Sequence, residues 1–183
     1  MKNYNPTNRN FNTLAGKAVR NTYGNCVTQA LATALGIPFK GAAGIILKHG
    51  GGAGLAVPGD LESIRGIHTY AEAVSIIRAT KRPARIHTFN STVHSRYFKG
   101  YFMGERGMQS VEDDANTNIE LVHHDRGCKT ATFAKRFKNG RFMIIREAHA
   151  LAAVNGELFD NNHNELTTRN KAVQFAIEFL PMA

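Results

Sequence analysis

Cys26 and His149 are the residues with which this chain can build an activated thiol. The apolar residues after Cys26 recur at helical spacing, so we expect a helix from about Cys26 to Leu35 that begins at the cysteine. Unpaired backbone N–H groups and the positive end of the helix dipole stabilise a thiolate at that position. The local charge acts in the same direction, because residues 1–59 contain six lysines and arginines and no acidic residue. Cys26 is therefore the candidate nucleophile.

The partners of His149 follow from a predicted hairpin. Asn155-Gly156 is typical of a two-residue turn between antiparallel strands. Counting outward from this turn places Asn162 directly across from His149 and Asp160 diagonally across, with the three side chains on one face. Either residue can orient the imidazole and fix its tautomer, and a carboxylate also stabilises an imidazolium, which favours Asp160 over Asn162. A cysteine, a histidine base and an orienting group are the parts of a nucleophilic thiol site.

The predicted elements that position these residues are mainly helices in the N-terminal part of the chain and mainly strands in the C-terminal part. Apolar spacing and capping signals predict helices at residues 26–35, 39–49, 69–79 and 131–137. Apolar runs and alternation predict strands at residues 85–89, 142–145, 149–154, 157–162 and 173–179. Residues 1–13 lack periodicity and are expected to be extended or poorly ordered, and residues 90–120 show no clear pattern. The order predicts an α+β protein with an antiparallel sheet.

Length and composition restrict the class of protein. A chain of 183 residues, 43% hydrophobic and 20% charged, fits one globular domain over residues 1–183. Its longest apolar stretches are shorter than the ~20 residues that cross a bilayer, and the polar amino terminus lacks the apolar region of a secretory signal. We therefore expect a cytoplasmic protein without a membrane partner. Two cysteines make no disulfide framework in that compartment.

Two parts of the sequence carry a family pattern. The first is YGNCVTQALA from Tyr23, followed by ALGIP from Ala34. The second is FAKRFKNGRF from Phe133, then HALAAVNG from His149 and the pair Phe159-Asp160. Both resemble papain-like cysteine peptidases of the bacteriocin-processing type, small forms of which are frequent in bacteriophages. The resemblance covers roughly a third of the chain. It implies a papain-like α+β fold, in which an N-terminal Cys-bearing helix packs on a C-terminal antiparallel sheet that carries His and Asp.

The same resemblance implies a function and an oxyanion donor. It implies a thiol hydrolase or acyl transferase that attacks a peptide, isopeptide or related acyl bond through a Cys-His-Asp triad, with no cofactor and no metal. A phage-encoded member acts in the host cytoplasm. The family's glutamine, about six residues before the cysteine, is replaced here by Arg20, and its glycine before the histidine is replaced by Ala148. Asn21 is then the expected oxyanion donor beside the Cys26 backbone N–H, and Asn25 is a weaker candidate.

Two other classes of function fit the same residues. One is a catalytically silent papain-like fold that binds a host protein or nucleic acid. The other is a basic nucleic-acid-associated module in which the triad residues are coincidental. The net charge of +9 favours anionic partners, so we expect a protein or peptide substrate with acidic character, and nucleic acid is the less favoured partner. The family order of Cys, His and Asp favours the enzyme over the coincidence.

A second group of chemically active side chains occurs near the middle of the chain. His123-His124-Asp125 and Cys128 are residue types that bind metals. A structural metal site needs four convergent groups, and adjacent histidines point apart in most backbones. We therefore interpret this segment as a solvated loop, and we interpret the short basic runs at residues 81–85 and 135–138 as solvated faces.

Overall fold

A computed structural model of the protein describes residues 26–49, 70–89, 118–146, 149–160 and 171–182. These residues contain four helices: α1 (Cys26–Leu35), α2 (Phe39–His49), α3 (Tyr70–Thr80) and α4 (Thr130–Arg136). They also contain six strands: β1 (Ala84–Phe89), β2 (Ile119–His124), β3 (Arg141–Arg146), β4 (His149–Val154), β5 (Glu157–Phe159) and β6 (Phe175–Phe179). The protein is α+β, as the order of predicted elements indicated.

The six strands form one mixed sheet in the order β2-β1-β6-β3-β4-β5. Four neighbouring pairs are antiparallel, but β1 and β2 are parallel. The prediction of an antiparallel sheet is therefore wrong at this edge. Two parallel strands cannot be joined by a tight turn, and the 29 residues between Phe89 and Ile119 are enough for the crossover that such a pair needs. β2 begins at the end of residues 90–120, where the sequence showed no pattern, and continues into the histidine segment that was interpreted as a loop.

Helices cover both faces of the sheet. α1, α2 and α3 pack on one face, and α4 packs on the other through Phe133. Residues of β3 alternate between these layers, as the period of two in a strand requires: Met143 and Ile145 face the first, Phe142 and Ile144 the second. Within the described ranges no single helix is long and apolar enough to cross a membrane. α1 and α2 taken together have the length and composition of a membrane span, but they are bent by 116° at the break between them.

The local predictions are confirmed where short-range signals are strong. α1 and α2 have the predicted bounds, and the predicted turn and register occur in the β4–β5 hairpin. Asn155 and Gly156 have φ of 51° and 78°, and Val154 pairs with Glu157. β5 ends at Phe159, earlier than the predicted 157–162. Residues 1–13 and most of 90–120 lie outside the described residues.

The carboxyl end of α1 is anchored to β3, which fixes the direction of the helix. Gly36 follows the helix in the left-handed conformation, with φ of 67°. Arg141 donates from Nε to the carbonyl of Ala34 at 2.7 Å and from Nη2 to the carbonyl of Thr33 at 2.6 Å. A cation at this end also complements the negative end of the helix dipole. The anchor determines where the opposite end of α1, with Cys26, lies on the sheet.

We expect Gly36→Ala to lower the free energy of unfolding by about 1 to 2 kcal/mol, because a Cβ is strained in the left-handed region. The added Cβ would also lie 3.0 Å from Arg141 Nη2. Gly44→Ala is the matched control, since Gly44 lies inside α2 and a Cβ there meets no atom within 4 Å. That substitution should raise the free energy of unfolding by about 0.5 to 1 kcal/mol. Urea unfolding measures both, and changes of the same sign would contradict this account.

Candidate active site

The three residues predicted to form a triad meet at one end of the sheet, where β3 ends and β4 begins. Cys26 is the first residue of α1, His149 is the first residue of β4, and Asp160 directly follows β5. They come from three elements and are separated by up to 134 positions in the sequence. The other predicted site residues lie outside the described residues: Asn21, Asn25 and Asn162.

The imidazole of His149 is held by a buried carboxylate. His149 Nε2 and Asp160 Oδ1 are 2.5 Å apart. Ala152 pairs with Phe159, so Asp160 lies one position beyond the hairpin ladder and diagonally across from His149, as the turn predicted. The Asp160 side chain has no exposed surface, whereas His149 is 13% exposed. Because Nε2 is engaged by the carboxylate, Nδ1 is the ring nitrogen left for the thiol.

Cys26 contacts the other side of this imidazole. Burial raises the pKa of the Cys26 thiol, but the hydrogen bond to His149 and the charge of that ring outweigh burial, and the pKa lies below its ordinary value. Backbone hydrogen bonds from Ala150 and Val27 to the sulfur act in the same direction. The side chain remains partly exposed, so a substrate can reach the sulfur. The environment is that of a reactive thiolate.

His149 carries the proton in the resting state. Burial lowers the pKa of His149, but hydrogen bonds with Asp160 and Cys26, together with their negative charges, raise it to about 9. At neutral pH the imidazole is therefore protonated, and its charge favours the ionised form of the thiol beside it. A thiolate–imidazolium pair with a carboxylate behind the ring is a nucleophile that needs no further proton transfer before attack.

Cys128 provides the contrast within the same chain. Its side chain is buried on the α4 face of the sheet, at 4% exposure. Burial raises the pKa of Cys128, and the charge of Arg136 offsets this only in part. Its thiol donates to the carbonyl of Lys129 at 3.5 Å. Of the two cysteines, only Cys26 has the surroundings of a nucleophile.

The geometry is the main guide to what this site does. Comparison of the chain with protein-family models, with curated proteins and with solved structures finds no match. Among the described residues, no group of three or more His, Cys, Asp and Glu side chains is arranged to hold a metal ion. Within the described part of the chain, Cys26, His149 and Asp160 form a contiguous group of a thiol, an imidazole and a carboxylate, the side chains from which activated thiols are built.

Arg146 belongs to the same end of the sheet and was not predicted as a site residue. It is the last residue of β3 and pairs directly with His149 across the β3–β4 ladder. Its Nη2 lies 3.7 Å from Asp160 Oδ2, and its side chain is 5% exposed. The sequence does hold a signal for this pairing, because two residues separate Arg146 from His149 between apolar strands. A tight connection of that length places the two flanking residues opposite each other.

A second polar cluster lies under α4, on the β1–β2 side of the sheet. His123 and His124 are the last residues of β2, paired with Thr88 and Phe89 of β1, so the interpretation of these histidines as a solvated loop is wrong. The parallel pairing with β1, which no local pattern encodes, draws them into the sheet. His87 of β1 is buried at 4% exposure and stacks on His124 at 5.4 Å between ring centres.

The hydrogen bonds of this cluster form a chain of donors that begins at Arg136 and ends at Glu178. Arg136 Nη2 donates to His124 Nδ1 at 3.2 Å, so His124 donates from Nε2 to His87 Nδ1 at 3.1 Å. His87 in turn donates from Nε2 to Glu178 at 3.1 Å. Burial lowers the pKa of both histidines, and this direction requires both to be neutral. The cluster therefore links the edge strand β2 to α4, β1 and β6.

Proposed function

We propose that the protein is a papain-like thiol hydrolase or acyl transferase that acts on a peptide, isopeptide or related acyl bond. The observation that carries the proposal is the contact of Cys26, His149 and Asp160, with the pKa of the thiol lowered and that of the imidazole raised to about 9. The papain-like assignment is supported by the resemblance and by a helix that begins at the nucleophile and packs on the sheet that carries the histidine.

The arrangement fits a two-stage reaction. Cys26 Sγ attacks the acyl carbon, and the charge that forms on the carbonyl oxygen is stabilised by the Cys26 backbone N–H and the Asn21 amide. The His149 imidazolium gives its proton to the leaving amine, the C–N bond breaks, and a thioester remains on Cys26. Water then attacks the thioester and gives a proton to the neutral His149, which releases the acid and restores the thiolate. An amine that takes the place of water gives acyl transfer.

The charge distribution supports an acidic protein or peptide substrate. Residues 1–59, which include the nucleophile, carry a net charge of +6, while the whole chain carries +9. A positive field concentrates anionic partners by long-range steering. The resemblance to phage-encoded peptidases supports a site of action in a host cytoplasm.

Trapping the acyl-enzyme tests this proposal. The protein is incubated with two peptide thioesters of equal length, one acidic and one basic, and the adducts on Cys26 and Cys128 are followed by mass spectrometry. We expect an acyl adduct on Cys26 that forms faster with the acidic peptide and then decays by hydrolysis or by transfer to an added amine. Cys26→Ala should give no adduct. A Cys26 that is alkylated by iodoacetamide yet forms no acyl adduct would indicate a catalytically silent binding protein, and preferential modification of Cys128 would contradict the site itself.

A further inference from the structure

Four charged groups meet at the end of the sheet, and each comes from a different part of the fold. Cys26 on α1 and Asp160 after β5 supply acidic groups, while His149 on β4 and Arg146 on β3 supply basic groups. Buried charges are tolerated when they are paired. Equal numbers of acidic and basic groups allow Arg146 and Asp160 to be buried in this cluster.

The two oxygens of the Asp160 carboxylate are divided between the two cations. Oδ1 lies 2.5 Å from His149 Nε2, and Oδ2 lies 3.7 Å from Arg146 Nη2. The Asp160 side chain has no exposed surface, so bulk water does not stabilise its charge. Burial favours the neutral form of a carboxyl group, and an adjacent cation favours the ionised form. A guanidinium keeps its charge at every pH that the folded protein meets.

We propose that Arg146 is a positioning residue that keeps the Asp160 carboxylate ionised and turned toward His149. It acts through Asp160 on the imidazolium, and through the imidazolium on the thiolate of Cys26. The register of the sheet makes this a property of the fold, because Arg146 and His149 are directly paired. The inference rests on the proposed function, since it concerns the same nucleophile.

The test compares how the alkylation of Cys26 depends on pH in variants of two ion-paired arginines, one beside the site and one away from it. Rates of reaction with iodoacetamide are measured from pH 5 to 9 by mass spectrometry of the Cys26 peptide. For Arg146→Met we expect the rise in rate to move to higher pH, because less of the thiol is ionised. At pH 6 its rate should be at most about a tenth of the wild-type rate. Arg85→Met is the control: it removes an arginine that is paired with Glu120 and Glu178 on β1, which β6 separates from β3, and its pH profile should match the wild-type profile.

Cys128 reports whether each variant is folded, because it is buried and should stay unmodified. An Arg146→Met profile that coincides with the wild-type profile, with Cys128 protected, would overturn the inference. If that variant is unfolded, the double variant Asp160→Asn with Arg146→Met removes both buried charges and is compared with Asp160→Asn alone. The two should then differ by less than about threefold at pH 6, and a tenfold difference would overturn the inference. A wild-type Cys26 that is unreactive below pH 7 would instead contradict the proposed function.

Discussion

Replacing His149 by alanine is expected to abolish acyl transfer and to lower the rate of Cys26 alkylation at pH 6.5 by at least about tenfold. Without the imidazolium, burial becomes the largest influence on the thiol, and burial raises its pKa. A thiol at the ordinary pKa of 9.0 is less than about 1% thiolate at pH 6.5. The more basic thiolate is a stronger nucleophile, which recovers part of the loss. Mass spectrometry of the Cys26 peptide against time gives the rate.

Two controls separate lost activation from lost structure. His123→Ala removes an exposed histidine from β2 and should leave the rate at Cys26 unchanged. At pH 10 and above, where the thiol of His149→Ala also ionises, its rate should approach that of the wild type within about threefold. A variant that keeps the wild-type rate at pH 6.5 would show that His149 does not activate the thiol. A rate that stays low at high pH would indicate a blocked sulfur.

The contact between His149 and Asp160 could be predicted from sequence because a short turn determines it. Asn155-Gly156 supplies two positive φ angles, and a two-residue turn leaves one register for the strands that it joins. From that register the diagonal position of Asp160 follows by counting. The helix that begins at Cys26 has an equally local signal in its apolar spacing and in the glycine that ends it.

The parallel edge of the sheet could not be predicted in the same way. Ile119–His124 is only partly buried, so its side chains alternate weakly, and its partner strand ends 30 positions earlier at Phe89. No turn connects the two, and their pairing depends on tertiary contacts. Arg146 was missed for a related reason. In the sequence, a charged residue at the end of an apolar strand is typical of a strand end that is exposed to solvent. Only the proximity of Arg146 to Asp160 in the structure shows that it belongs to the site.

Asp160→Asn is expected to reduce the turnover of an acidic peptide amide by about 10²- to 10⁴-fold and to move its alkaline limit to lower pH. The raised pKa of His149, about 9, means that the native site holds this proton up to about that pH. Asparagine removes the negative charge that raises the pKa, while burial continues to lower it. The imidazolium is then lost at lower pH, and the leaving amine has no proton donor. Initial rates from pH 5 to 10 give both the size of the loss and the shift of the alkaline limb.

The control for this substitution lies on the same hairpin. Glu157→Gln also exchanges a carboxylate for an amide, but at an exposed position beside the turn. It should change neither the turnover rate nor the alkaline limb of its pH dependence. Asp160→Asn leaves the Arg146 guanidinium buried beside a neutral amide, which costs about 3 to 5 kcal/mol, so rates are compared at a temperature where Cys128 stays protected. If Asp160→Asn retains the alkaline limb of the wild-type pH–rate profile near pH 9, Asp160 is not the orienting group. The assignment then passes to Asn162, and Asn162→Ala should move this alkaline limb.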